Sequence, residues 1–144
     1  MLLRKMLLEL EFEIEPGNFI LAGEASSKIK ETLKKLGVKP DILKKVAIVS
    51  YEAEMNIVIH SIGGILKAII SKDKIEIIAQ DSGPGIENIE LAMKEGYSTA
   101  PEEIRNLGFG AGMGLPNMKK YSDYFEIDSQ KGKGTKVYMI IYNK

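Results

Sequence analysis

The sequence has no cysteine, only one histidine and no net charge, with twenty acidic residues balanced by twenty basic ones. Without cysteine there can be no disulfide and no thiolate metal site. A lone histidine cannot complete a zinc ligand set without cysteine or further histidines to join it. The zero charge removes the electrostatic drive behind non-specific nucleic-acid or acidic-membrane binding, so neither is expected as a direct partner. Long hydrophobic runs are missing too: no stretch approaches the roughly 18–20 apolar residues of a spanning helix. The start, Met1 to Leu8, is apolar in part, but Arg4 and Lys5 split it and Glu9, Glu11 and Glu13 follow, so it does not read as a signal peptide. The expected location is cytoplasmic.

What is present suits one compact domain spanning residues 1–144, 44% hydrophobic and 28% charged. Residues 8–15 alternate apolar and acidic, the period of a half-buried strand, and Pro16-Gly17 ends it. Ile29, Leu33 and Leu36 recur at helical spacing before Gly37, a natural helix terminator. Pro40-Asp41 opens a longer helix to about His60, with Ile42, Val46, Val49, Ala53 and Ile57 on one buried stripe. Two β-branched runs, 65–71 and 74–81, flank Lys72-Asp73 and read as a hairpin. A glycine-rich stretch with Pro84 and Pro101 then runs to Gly114, interrupted by one short helix at about 88–95. A helix at about 116–122 and strands at about 124–129 and 135–142 complete the chain. This order of elements predicts an α/β (α+β) two-layer sandwich: a mixed, largely antiparallel sheet covered on one face by helices.

Three features carry chemistry. Glu52, Asn56 and His60 stand four apart along the long helix, at the edge of its buried stripe. They are either boundary residues of an amphipathic helix or a row facing a pocket, where a carboxylate can act as a base and an amide oxygen can ligate Mg²⁺. Asp81 ends a row of inward positions, Ile75, Ile77 and Ala79, and is followed by Ser82-Gly83-Pro84-Gly85. It either closes an Asx-type turn or accepts a hydrogen bond from an amine such as that of adenine. Gly108, Gly110, Gly112 and Gly114 alternate just before a helix with Pro116 in its first turn, an arrangement of backbone amides suited to phosphate. Neither the P-loop pattern nor the dinucleotide fingerprint is present.

In order, Glu52-Asn56-His60, Asp81-x-Gly83-x-Gly85, Gly110-x-Gly112-x-Gly114 and Gly132-x-Gly134-Thr135 resemble the N, G1, G2 and G3 boxes of the GHKL (histidine kinase-like) ATPases. Tyr51–Asn56, Glu95–Thr99 and Gly114–Lys120 are similar to the anti-sigma-factor serine/threonine protein kinases within that superfamily. The resemblance implies a Bergerat-type fold that binds ATP or ADP with Mg²⁺ under a lid at about 86–109. It implies transfer of the γ-phosphate to a serine of a STAS-type antagonist protein, a sigma factor as a further partner, and allows a homodimer. Carried over, Glu52 is the catalytic base, Asn56 the Mg²⁺ ligand, Asp81 the adenine acceptor with Thr135 assisting, and Gly83, Gly85, Gly110, Gly112 and Gly114 line the nucleotide. One departure stands out: many relatives have arginine where this chain has Gly110, leaving Arg105, Lys119 or Lys120 as the cations available for the γ-phosphate. Other readings are a non-catalytic, ATP-dependent partner-binding switch, the detached ATPase domain of a sensor histidine kinase, and a structural domain without nucleotide.

Overall fold

A computed structural model describes residues 6–86, 89–94 and 114–144. Five strands, β1 (Met6–Ile14), β2 (Gly64–Ser71), β3 (Lys74–Asp81), β4 (Tyr124–Gln130) and β5 (Gly134–Tyr142), form one sheet in the order β1-β2-β3-β5-β4. Every neighbouring pair is antiparallel. The helices are α1 (Glu24–Lys35), α2 (Pro40–His60), α3 (Ile89–Ala92) and α4 (Gly114–Tyr121). The expected two-layer α+β sandwich is therefore the fold observed, with no parallel pair in its sheet. Of the helix expected at 88–95, Ile89–Ala92 is seen, and Asn88 and Glu95 lie outside the described residues.

The long helix forms where its apolar period and its proline at the first position place it, Pro40 to His60. Ile42, Val46, Val49, Ala53 and Ile57 are all buried, facing Leu66, Ala68 and Ile70 of β2 and Ile75 and Ile77 of β3 in one core. Burying each of the larger side chains stabilises the fold by about 1.5–3 kcal/mol. On the other sheet face Lys67 lies 3.5 Å from Glu11 and Lys74 3.0 Å from the buried Glu76.

Helix α1 is preceded at its N-cap by Gly23, whose lack of a side chain leaves the first amides uncapped locally. Glu54, buried on α2, supplies the cap from across the interface. Its Oε2 accepts from Gly23 N at 3.0 Å and Ala25 N at 3.4 Å, and its Oε1 accepts from Ser26 N at 2.9 Å. This bond set fixes α1 against α2 and so sets the frame in which α2 presents its other face.

The C-terminal end of α2 is tied to the end of β3 by a reciprocal pair. Ile62 N donates to Ser82 O at 3.0 Å, and Ser82 N donates to Gly63 O at 3.0 Å. This pair brings the end of α2 and the Asp81 turn to one end of the sheet.

Candidate functional site

Asp81 is half-buried at the end of β3, on the side of Ile75, Ile77 and Ala79. Its Oδ1 accepts from Thr135 N at 3.1 Å, across to the start of β5. Burial pushes the Asp81 carboxyl above its ordinary value, and the Thr135 amide opposes that shift. Gly134 comes so close that a Cβ there would overlap the Asp81 carbonyl oxygen.

The two glycines of the turn after Asp81 have no room for a side chain. A Cβ on Gly83 would lie 3.2 Å from Ser61 Cα, and Gly85, at φ +75°, would drive one into the Gln130 carbonyl. The β4–β5 turn closes over it, with Gly132 N donating to Pro84 O at 2.8 Å. Ser129, which the sequence reading passed over, joins the three pieces. Its Oγ accepts from Ile86 N at 2.7 Å, and lies 2.7 Å from Thr135 Oγ1 and 3.3 Å from Gly134 O.

The second half of the site lies between α2 and α4. Glu52 and Asn56 are half-buried on α2, facing Gly114 at the start of α4. A Cβ on Gly114 would sit 3.3 Å from Asn56 Oδ1 and 3.8 Å from Glu52 Oε2, so glycine keeps open the space these two groups face. Asn117, one turn into α4, donates through Nδ2 to Glu52 Oε2 at 3.3 Å. Burial raises the Glu52 carboxyl above its usual range, with the Asn117 bond pulling the other way. His60 ends α2 and is exposed.

Gly110, Gly112, Glu95–Thr99, Arg105 and most of the lid span at 86–109 lie outside the described residues. Lys119 and Lys120 are exposed on α4, and Lys120 Nζ lies 5.3 Å from the centre of the Tyr121 ring.

A profile of the family described as "Histidine kinase-like ATPase domain" matches residues 21–141. The chain belongs to this family. Within it, the chain is similar to proteins named anti-sigma F factor. One from Thermoanaerobacter sp. (strain X514) is 45% identical over 96 residues, covering 63% of this chain and 64% of that protein. One from Clostridium acetobutylicum is 39% identical over 93 residues, covering 61% and 62%. One from Clostridium kluyveri is 36% identical over 104 residues, covering 69% and 70%. The match thus spans a little under two thirds of the length of the first two relatives.

The geometry fits the nucleotide that a histidine kinase-like ATPase takes. Asp81 uses one carboxylate oxygen on Thr135 and is left with acceptor capacity for an exocyclic amine. Gly114 opens a cradle that a methyl group would fill. Among the described residues no three His, Asp or Glu side chains converge as a metal cage. Asn56 Oδ1 is a hard oxygen of the kind a divalent cation takes. Among the described residues no helix is long and apolar enough to cross a membrane.

Ser129 and Asn117 in the site, and Glu54 in the α1 cap that supports it, stand in none of the sequence motifs. Ser129 faces Thr135 as a cross-strand pair, which counting back across the Lys131–Gly134 turn would have found. Asn117 lies three residues beyond Gly114, one helical turn on. The signal for Glu54 was a helix opening on Gly23 with no side-chain cap of its own.

Proposed function

We propose that this domain binds Mg-ATP and transfers the γ-phosphate to a serine hydroxyl of a small partner protein, acting as an anti-sigma kinase. The observation that carries the reading is the Glu52 carboxylate: half-buried, held by Asn117 and aimed with Asn56 at the space beside Gly114. A carboxyl with a raised pKa at the phosphate end of a nucleotide site is suited to general-base work.

Each side chain then has one task. Asp81 accepts from the adenine amine, with Thr135 beside it. Gly83 and Gly85 let the backbone turn close under the base, and the amides around Gly110, Gly112 and Gly114 take the phosphates. Asn56 is the protein ligand for Mg²⁺, which supplies charge neutralisation on the phosphate oxygens when bound. Glu52 removes the proton from the partner's serine hydroxyl as its oxygen bonds to the γ-phosphorus. The bond from that phosphorus to the bridging oxygen breaks, and ADP leaves. Little more is required, since phosphoryl transfer depends mainly on positioning and charge stabilisation.

The relatives' name, anti-sigma F factor, supports a sigma factor as one protein that the domain holds, and a serine-bearing antagonist of the STAS type as the phosphate acceptor. A second reading, an ATP-dependent switch without transfer, is favoured by Gly110, which stands where many kinases of this type have arginine.

Labelled ATP incubated with the chain and candidate STAS-type proteins tests the proposal by the appearance of phosphoserine. Glu52→Gln is expected to abolish transfer while keeping the rise in melting temperature that Mg-ATP produces, and Asp81→Asn to abolish both. Partner capture without phosphoserine in the wild type would establish the switch instead. No melting shift at millimolar Mg-ATP would overturn nucleotide binding altogether.

A further inference from the structure

We propose that the outer edge of β1, with the groove between it and α1, docks an extended segment of a partner protein in which basic and apolar residues alternate. The surface lies away from the nucleotide site, and the inference stands whether or not phosphate is transferred.

Strand β1 is the last strand on its side of the sheet, and among the described residues it pairs with β2 alone. Its outer backbone groups are therefore a ladder open to a further strand. A groove of about 330 Å³ runs beside it, lined by the consecutive residues Glu11, Phe12, Glu13, Ile14 and Glu15. Successive residues of a strand point to opposite faces, so a groove that touches all five borders the edge of the strand. The opposite wall is the first turn of α1, with Glu54 behind it accepting from the amides of Gly23, Ala25 and Ser26. Glu54 stands two residues from Glu52, about 200° around the helix, so the groove and the Glu52–Asn56 row open on opposite sides of α2.

Floor and rim differ in character. Phe12, Ile14 and Ala25 supply apolar surface, and Leu21 in the lining is 52% exposed, next to an Ile20 that is 94% exposed. Exposed carboxylates surround them, against Lys28 as the one cation of the lining. Glu11 lies 3.5 Å from Lys67 and Glu24 3.5 Å from Lys28, while the Glu15 partner, Asn18, is a neutral amide at 2.9 Å. Glu13 and Glu15 thus carry the surplus negative charge. Charges alone guard an edge against unwanted pairing. They do not require large apolar side chains to stand in water beside them, and those are what a bound segment covers.

This composition selects the occupant. Residues directly opposed across an antiparallel pair share a face. Lysine or arginine of the incoming strand then stands opposite Glu11 and Glu13, and apolar residues stand opposite Phe12 and Ile14. Main-chain hydrogen bonds supply affinity, and the alternate side chains supply specificity. A second copy of the chain is a poor occupant. In any antiparallel register that keeps the apolar faces together, two β1 strands would set glutamates opposite glutamates.

Fluorescence anisotropy with the full chain tests this, using a short labelled peptide of alternating lysine and valine and a glutamate–valine control. The first is expected to bind and the control not to. Glu13→Lys combined with Glu15→Lys should weaken binding about tenfold, the worth of two exposed ion pairs. Leu21→Asp should weaken it about tenfold or more by removing apolar cover. All three positions are exposed, so the variants should keep the wild-type melting temperature and its shift with Mg-ATP. N-methylating the lysine amides of the peptide should differ in effect from N-methylating the valine amides, because only one set faces β1. Equal binding of the two peptides, no binding of the lysine–valine peptide, wild-type affinity in either variant, or no difference between the two methylations would overturn the proposal. A wild type that sediments as a dimer, and loses the dimer on Glu13→Lys with Glu15→Lys, would give the groove to a second copy and overturn it as well.

Discussion

Replacing Glu54 by glutamine removes one oxygen's worth of acceptor from a buried carboxylate, and the structure allows the cost to be worked out. In the native chain Oε2 takes the amides of Gly23 and Ala25 and Oε1 takes that of Ser26, at 3.0, 3.4 and 2.9 Å. Glutamine has one carbonyl oxygen. If that oxygen takes the Oε2 place, the side-chain NH₂ faces the Ser26 amide; if it takes the Oε1 place, two amides are left facing a donor. The first arrangement is the better one. It still strands one amide where Glu54 is only 2% exposed, a loss of about 1–3 kcal/mol. The bonds that survive now end on a neutral oxygen, about half as strong as bonds to a carboxylate. The favourable placement of a negative group at the first turn of α1 goes as well.

Together these give a destabilisation of about 2–4 kcal/mol. For a chain of this size that corresponds to a fall in Tm of about 5–15 °C. Urea unfolding followed by far-UV circular dichroism measures it directly. The midpoint should drop with the slope unchanged, because the surface exposed on unfolding is the same. Amide hydrogen exchange should accelerate at Ser26 more than in the sheet, since the first turn of α1 loses its anchor. A Glu54→Gln protein within about 0.5 kcal/mol of the wild type would refute the reasoning, by showing that α1 is capped by something other than this carboxylate.

Gly114→Ala is expected to weaken Mg-ATP binding by about tenfold or more, because its Cβ would sit 3.3 Å from Asn56 Oδ1, while the ligand-free Tm stays within a few degrees. Titration calorimetry and a melt in the absence of nucleotide separate the two effects. Asn117→Leu should leave ADP affinity within about twofold yet slow phosphoryl transfer about tenfold, since it removes the 3.3 Å bond that steers Glu52 and touches nothing at the base end. Both Glu52 and Asp81 have carboxyl pKa values raised by burial, so the folded state holds their protons more tightly than the unfolded chain does. Stability is therefore lost as pH rises from the ordinary carboxylate range through the raised values. Glu52→Gln and Asp81→Asn should accordingly melt higher than the wild type at neutral pH, with the gap closing toward acid. A gap that widens on acidification would reverse the assignment.

Most of the fold could be read from the sequence because its strongest signals were local. The apolar period of α2, with Pro40 at its first position, marked that helix, and the β-branched runs on either side of Lys72-Asp73 marked β2 and β3. The sheet's uniformly antiparallel pairing is a property of which strands become neighbours, and β3 pairs with β5 rather than with β4. No periodicity within a strand contains that choice. The site was legible where a residue's own surroundings made it costly or sterically special. Asp81 at the end of an inward row was conspicuous, and so were the glycines that approach backbone closely. Glu54 was not, because a glutamate on a helix reads as a solvated side chain until the uncapped start of α1 is brought against it. Ser129 and Asn117 act through partners that sit on other elements, and a hydroxyl or amide in a polar stretch carries no mark of such a partner.

The two halves of the site are built by different means, and this bears on how the domain can work. At the base end, Asp81 is held by backbone: the reciprocal Ile62–Ser82 and Ser82–Gly63 bonds, the Gly132–Pro84 bond, and the close approach of Gly134. Nothing there can shift without breaking several bonds at once. At the phosphate end, the contacts that join Glu52 and Asn56 to α4 pass through one glycine and one side-chain bond, at Gly114 and Asn117. A small displacement of α4 would separate Asn117 from Glu52 and leave Asp81 where it is. On the proposed function, affinity for the nucleotide base and orientation of the Glu52 carboxylate are thus separable quantities in this domain.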